Sequence, residues 1–357
     1  MNDVILITGA TGSVGRELTG ALACDPAVER IYAVSRGIGS TPELPKVAWI
    51  RGDVTLPLRL DVAREITVIV HAAADTRFST SLSAARAVNV GGLEQVLALA
   101  SRCPRLRRMA HLSTIYVAGR RCGRVLENEL DHNAGFVNAY EQSKYESEQL
   151  VRTWANKVPI AVYRLSTIIG EEAGGDPGKL GAIHQAMGFM YHSLAPMIPG
   201  SPGNLIDLIS LNYAVGSIAW LLRHRFEPGS TLHICGADES LTLDELLDLV
   251  IDCFHRFRPA WRKRAIAKPA VVPLETFELF VRSVEEIGEA TLCRCVNAIK
   301  HFAPQMFYSK RFDDSQAQRA LADSGIQRPR MRQLCSQVVR RLIETNWTAA
   351  GRELVTP

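Results

Sequence analysis

The segment FVNAYEQSKYESE, residues 136–148, places Tyr140 and Lys144 four positions apart. On a helix that spacing brings a phenol and an ammonium onto one face. A free phenol, with a pKa of about 10, is a poor proton carrier at neutral pH. A neighbouring cation favours its phenolate and brings proton exchange toward neutrality. An ordinary wet helix surface also carries such pairs, so the meaning depends on what stands nearby. Upstream, HLSTIYVAG ends a β-branched run with the hydroxyls of Ser113 and Thr114. If that run is a strand whose carboxyl end lines a crevice, its hydroxyls meet the Tyr-x-x-x-Lys face of the helix that follows. Such a cluster suits proton donation to an oxygen on which negative charge develops, with Tyr140 as acid and Thr114 as stabiliser.

A second motif supplies the missing reagent. In ILITGATGSVGREL, Gly9, Gly12 and Gly15 follow a strand pattern and open a helix, with Thr11, Ser13 and Val14 between them. Glycines there permit a tight turn and close approach of backbone N–H groups to a pyrophosphate at a helix N-terminus. The strand-to-helix context predicts a dinucleotide site. The second strand ends AVSRG, with Ser35 and Arg36 where an NAD enzyme usually carries an acid for the ribose 2′-OH. Arg36, with Arg16 after the third glycine, favours a 2′-phosphate and hence NADP. Asp53, followed by Val54 in RGDVT, suits the adenine amino group. Lys144 then has a second task at the nicotinamide ribose, and the cofactor delivers hydride beside Tyr140.

These motifs require a frame. VILIT (4–8), IYAVS (31–35), VAWIR (47–51), TVIVHAA (67–73), RMAHLS (108–113) and IAVYRLS (160–166) read as strands buried on both faces, separated by helical patterns. The alternation predicts an α/β fold, a doubly wound parallel sheet of Rossmann type with a smaller, mostly helical C-terminal lobe. The expected division is a nucleotide core over 1–170 and a substrate lobe over 171–357, with TLHICG (231–236) returning to the sheet. In the lobe, residues 274–302 space Phe277, Phe280, Val281, Val284, Ile287, Cys295, Ile299 and Phe302 as an amphipathic helix or helix pair. That pair packs on the body or covers a greasy substrate. The apolar stretch 182–200 would shape an acyl site, with His184 and His192 as packed or surface residues.

Composition excludes several classes. With 357 residues, 47% hydrophobic and 22% charged, the chain suits a globular protein with a sizeable core. No run approaches a membrane span, and MNDVILIT shows no secretory leader. The eight scattered cysteines offer no zinc spacing, so no metal is expected and free thiols in a reducing cytoplasm are the simplest account. Residues 255–357 carry 18 Lys or Arg against 10 Asp or Glu, a local +8 within a net +4. That lobe would suit an acidic or phosphate-bearing partner. Its basic residues are too dispersed, and lack the interleaved aromatics, for nucleic acid.

Taken together, TGATGSVG, GDVT, VIVHAAADTRFS, VNVGG, HLSTIYVAG, NAYEQSKYESEQLV and YRLSTIIG resemble the extended short-chain dehydrogenase/reductase superfamily. HAAADTRF, STIYVAG, FVNAYEQSKYESE and YRLSTIIGE look most like its thioester reductase and fatty acyl-CoA reductase branch, of male-sterility type. The resemblance implies that Ala72, Ala73 and Ala74 line the cofactor cleft and that Asn89 begins the central helix. It also implies that the loop Arg164 to Ile168, with Leu165 and Thr167, passes the nicotinamide. Thr114 matches the catalytic hydroxyl better than Ser113, which falls to the cofactor side. The implied activity is NADPH-dependent reduction of an acyl thioester to an aldehyde. No adenylation or carrier segment is present in these residues, so the acyl group would come from a separate carrier protein or coenzyme A. The alternatives are a ketoreductase or alcohol dehydrogenase on a lipid, polyketide or isoprenoid-like substrate, a sugar-nucleotide epimerase or dehydratase, and a non-catalytic NADP sensor. VAG, where epimerases usually show Tyr-Gly, speaks against the epimerase.

Overall fold

Runs of β-branched residues separated by helices demand a sheet covered on both sides. The computed structural model describes residues 2–37, 43–178, 180–258, 266–349 and 352–353. Its main sheet has seven strands: β1 (Asp3–Thr8), β2 (Val28–Ser35), β3 (Val47–Arg51), β4 (Val68–His71), β5 (Arg108–Thr114), β6 (Ile160–Leu165) and β7 (Thr231–Ile234). All neighbours pair in parallel, in the order β7-β6-β5-β4-β1-β2-β3. The chain builds outward from β1 to one edge, then returns to β4 to build the other. That reversal opens a crevice at the carboxyl ends of β1 and β4.

The crossovers are α1 (Ser13–Ala23), α2 (Leu82–Asn89), α3 (Gly91–Ala100) and α4 (Ala139–Trp154), then α5 (Ala182–Tyr191) and α6 (Leu211–His224) between β6 and β7. Alternate residues of each strand serve opposite faces. Ile5, Ile7 and Ile31 pack with Leu18 of α1 and Ile218 of α6. Val4, Leu6 and Tyr32 pack with Leu93 of α3 and Val151 of α4. The third strand departs from the expected double burial. β3 is an edge strand, so Val47–Ile50 are half-buried and Arg51 is exposed.

A third cluster forms the lobe from α5, α7 (Leu243–Phe257), α8 (Leu274–Ile287), α9 (Ala290–Ile299) and, beyond α10 (Ser315–Leu321), α11 (Met331–Glu344). The 274–302 pattern is a helix pair because Gly288 takes the left-handed conformation, φ 71°, and stops α8. Ile287, spaced as a core residue, is 73% exposed because it is the last residue before that turn. α6 and α10 both pack on the sheet, so the chain beyond residue 170 returns to the core more than once.

Candidate active site

The glycine loop sits where β1 meets β4. Gly9 has φ 73°, and a Cβ there would lie 2.5 Å from the backbone nitrogen of Ala73. At Gly15 a Cβ would lie 2.2 Å from the Gly9 carbonyl oxygen. Only glycine lets these three stretches of backbone close together. Gly12 caps α1 without a side chain, so no side chain satisfies the first-turn N–H groups. Open N–H groups, helix dipole and a cradle that a Cβ would fill together fit a dinucleotide pyrophosphate.

Thr114 ends β5 and Tyr140 lies in the first turn of α4. Both line a cavity of about 540 Å³ between the sheet and the lobe. Asn138 starts α4 by accepting the Glu141 N–H at 3.0 Å, and its amide donates to the His301 carbonyl at 3.2 Å. The buried face of α4 is polar instead of apolar, so each of its groups must find a partner. Ser143 accepts from Asn89 at 2.9 Å. Lys144 donates to the Leu112 carbonyl at 2.8 Å and lies 3.2 Å from His111 Nε2. Glu148 accepts from Ser113 at 2.5 Å and from Arg164 Nη2 at 2.7 Å. This Glu148–Arg164 pair is 3% and 2% exposed.

The lobe joins the same helix. Glu141, 1% exposed, accepts the Val137 N–H at 2.9 Å and Gln305 Nε2 at 2.6 Å, and Gln305 Oε1 accepts from Lys310 at 2.8 Å. Burial raises the Glu141 carboxyl and lowers the Lys310 ammonium. Phe302 stacks on Phe78 at 5.5 Å, and Phe78 meets Tyr140 edge-on at 5.6 Å, which closes the cavity over the phenol.

The electrostatics differ from the sequence expectation at Tyr140. Desolvation pushes the phenol up to about 12; a hydrogen bond with Thr114 works the other way, and Glu141 adds to the rise. Lys144 is turned into the core and does not figure among the groups lowering it. Burial pulls Lys144 itself down to about 8, opposed by Glu148. The chain by itself therefore holds Tyr140 as the protonated acid.

Of the residues singled out from sequence, Ser13, Val14, Ser113, Thr114, Tyr140, Leu165, Thr167 and Ile168 line the cavity. Ala72, Ala73 and Ala74 follow β4 directly, with the Ala72 and Ala73 backbone against Gly9. Ser113 spends its hydroxyl on Glu148. Asn89 ends α2, one residue before a break at Val90, and does not begin the next helix; its amide ties the Asp75 backbone to Ser143. Arg16 is exposed and pairs with Glu17 at 3.0 Å. Arg36 is exposed, and Ser35 donates to the Gly37 carbonyl at 2.7 Å. Asp53 accepts from Thr55, and these bonds with Arg36 nearby hold its carboxyl low. Val54 packs against Gly92 of α3, and Thr11 is exposed. His184 accepts the Gly181 N–H at 2.9 Å and lies 2.9 Å from the Ile169 carbonyl, a structural role.

Sequence reasoning missed Tyr116, whose hydroxyl lies 2.7 Å from Thr167 Oγ1 in the cavity wall, although it stands two residues past Thr114. It also missed Phe78, and His111 beneath Lys144. Among the described residues no helix is long and apolar enough to cross a membrane.

The description of the male sterility protein, an NAD-binding domain, matches residues 39–218, half of the chain. The chain belongs to the male sterility protein family. This is an NAD(P)-binding family. Among relatives, the hybrid PKS-NRPS synthetase mpsA of Macrophomina phaseolina is 39% identical over 114 residues, 27% of this chain and 3% of that protein. The adenylate-forming reductase Nps10 of Heterobasidion annosum is 25% identical over 325 residues, 81% of this chain and 28% of that protein. The chain thus spans a small part of these relatives' own length. Among solved structures, the terminal R domain of the myxalamid PKS-NRPS pathway superposes with TM-score 0.81 at 21% identity, covering 98% of this chain and 93% of that one. A thiolation-reductase di-domain of an archaeal non-ribosomal peptide synthetase gives 0.73 at 16%, covering 97% and 76%. These two likenesses establish the fold.

Proposed function

We propose that this chain is an NADPH-dependent reductase that converts an acyl thioester, carried by a carrier protein or coenzyme A, to an aldehyde. The observation that carries the reading is the Thr114–Tyr140 hydroxyl pair, set in the wall of the cavity between the crevice and the lobe. Gly9, Gly12 and Gly15 with the N-terminus of α1 would hold the pyrophosphate. Exposed Arg36 at the end of β2, where the strand itself ends in Ser35 and no acid, supports a 2′-phosphate and therefore NADP over NAD. Bound NADPH supplies a hydride to the thioester carbon.

The chain's own residues do the rest. Tyr140, protonated at neutral pH, donates to the carbonyl oxygen, and Thr114 holds the same oxygen as charge develops on it; the hemithioacetal so formed then breaks its C–S bond as its hydroxyl proton passes to the departing sulfur, which leaves an aldehyde and a free thiol. Lys144 supplies a fixed positive charge behind them. Phe78 and Phe302 exclude water above the phenol. A thioester substrate is further supported by relatives named as hybrid PKS-NRPS synthetases and by the likeness to a thiolation-reductase di-domain. The basic lobe suits the acidic surface of a carrier or the phosphates of coenzyme A.

The test is single turnover with NADPH on a matched pair, a medium-chain acyl-pantetheine thioester and the corresponding ketone, with products identified by mass. Aldehyde and free thiol from the thioester are expected. Tyr140→Phe should cut the rate by about 10²–10⁴-fold while NADPH still binds. Alcohol from the ketone with the thioester untouched would leave a ketoreductase.

A further inference from the structure

Lys144 does not line the cavity that Tyr140 faces; it is 2% exposed and enters the core between α4 and the sheet. An ammonium has three N–H donors and no acceptor. Two of these are taken, by the Leu112 carbonyl at 2.8 Å and by His111 Nε2 at 3.2 Å. A protonated lysine can only donate, so His111 Nε2 is the acceptor and the ring proton sits on Nδ1. Ser147 lies 3.3 Å from the same nitrogen but gives its one hydrogen to the Lys144 carbonyl at 2.7 Å. It does not compete.

His111 is itself fixed. Its ring stacks on His71 with centroids 5.4 Å apart and planes 18° apart, and β4 and β5 place the two residues in register. His71 Nδ1 is anchored 2.8 Å from Thr8 Oγ1. Burial, with Lys144 adding to it, keeps both rings neutral. The remaining charged groups facing Lys144 are Glu148, one turn along α4, and the Arg164 that neutralises it.

We propose that His111 is a positioning residue: its Nε2 locks the Lys144 ammonium so that one N–H remains for the crevice, and this sets nucleotide affinity and the upper pH limit of catalysis. The proposal rests on the reading of Thr114, Tyr140 and Lys144 as reductase machinery. Removing the acceptor from a buried ammonium disfavours its protonated form, so the loss of His111 should make Lys144 give up its proton at lower pH.

The experiment measures NADPH affinity by fluorescence titration, and single-turnover reduction of the acyl-pantetheine thioester, from about pH 6 to about pH 10. It compares the wild-type chain with Lys144→Ala, His111→Leu and His111→Gln. The wild type should lose affinity and rate near the Lys144 midpoint of about 8. In His111→Leu both limbs should move down by about one pH unit, tenfold in the ionisation constant. His111→Gln, whose amide oxygen reaches the position of Nε2, should restore them. Wild-type limbs in His111→Leu, or equal limbs in the Leu and Gln variants, would overturn the proposal. If His111→Leu does not fold, His111→Gln against the shorter His111→Asn decides: a shift in Asn alone supports the lock, and equal profiles overturn it. Lys144→Ala with wild-type affinity and turnover would instead sink the underlying reductase reading.

Discussion

Acidification from about pH 7.5 to about pH 5.5 should cost this protein much of its stability before ordinary carboxylates titrate. The cause is a set of buried neutral imidazoles. Burial brings His71 and His233 down to about 3, helped by Lys144 and Arg164 respectively. His111 and His184 shift the same way. In the unfolded chain each titrates near 6.5, so below that pH the unfolded state binds protons that the folded state refuses. For His71 and His233 the contribution is therefore complete above about pH 6.5 and is lost as pH falls toward 3, at about 1.4 kcal/mol per unit for each ring, and His111 and His184 add to the loss in the same direction. Glu141, raised by burial, runs in the opposite sense over the same window and cancels about one ring. At pH 5.5 the net loss should be about 3 kcal/mol or more, against a total stability of about 5–15 kcal/mol. Urea unfolding at the two pH values should show the midpoint fall by about 1 M, for a slope near 3 kcal/mol per M. His233→Gln removes one titrating ring and should flatten that dependence. A midpoint that stays constant to about pH 5 and drops only with the carboxylates would refute the reasoning, because the rings would then be taking up protons in the folded chain.

Gly9→Ala places a methyl 2.5 Å from backbone at φ 73°, so the loop must open; thermal melting should show a loss of about 1–3 kcal/mol and NADPH titration a larger loss of binding. Arg164→Met leaves Glu148 buried without its partner and should cost about 3–5 kcal/mol in denaturant unfolding, whereas the double variant with Glu148→Met should recover part of it. Arg36→Asp should shift nucleotide preference toward NAD by about tenfold or more, read from the ratio of the two dissociation constants.

The chain announces its sheet because each strand is a short β-branched run, and burial on two faces leaves little else for such a run to be. It does not announce which strand is the edge: VAWIR reads like its neighbours, and only the pairing order exposes Arg51. The glycine loop is legible because backbone contact tolerates no side chain at Gly9 and Gly15. Tyr140, Lys144 and Thr114 are legible through helical spacing and a strand end, but the partners of Lys144 are not. His111 looks like one more strand residue. The available signal was positional, since HAAAD and HLST each carry a histidine at the same point of two strands that end at the crevice. The lobe's share of the cavity was least legible, because periodicity marks the buried face of α9 without saying what it is buried against. Ile287 fits the apolar period and still lies in solvent.

The Glu141–Gln305–Lys310 chain has a consequence for anyone rebuilding this protein. It links positions more than 160 residues apart, so the first turn of α4 is completed only when the segment after α9 arrives. The nucleotide crevice needs no such arrival. A chimera that takes its lobe from a relative to change the substrate would thus keep cofactor binding while losing the register of Tyr140, unless residues 301–310 and Glu141 travel as one cassette. The joint for recombination lies within α4's own contacts, well away from residue 170 where a linear reading would cut.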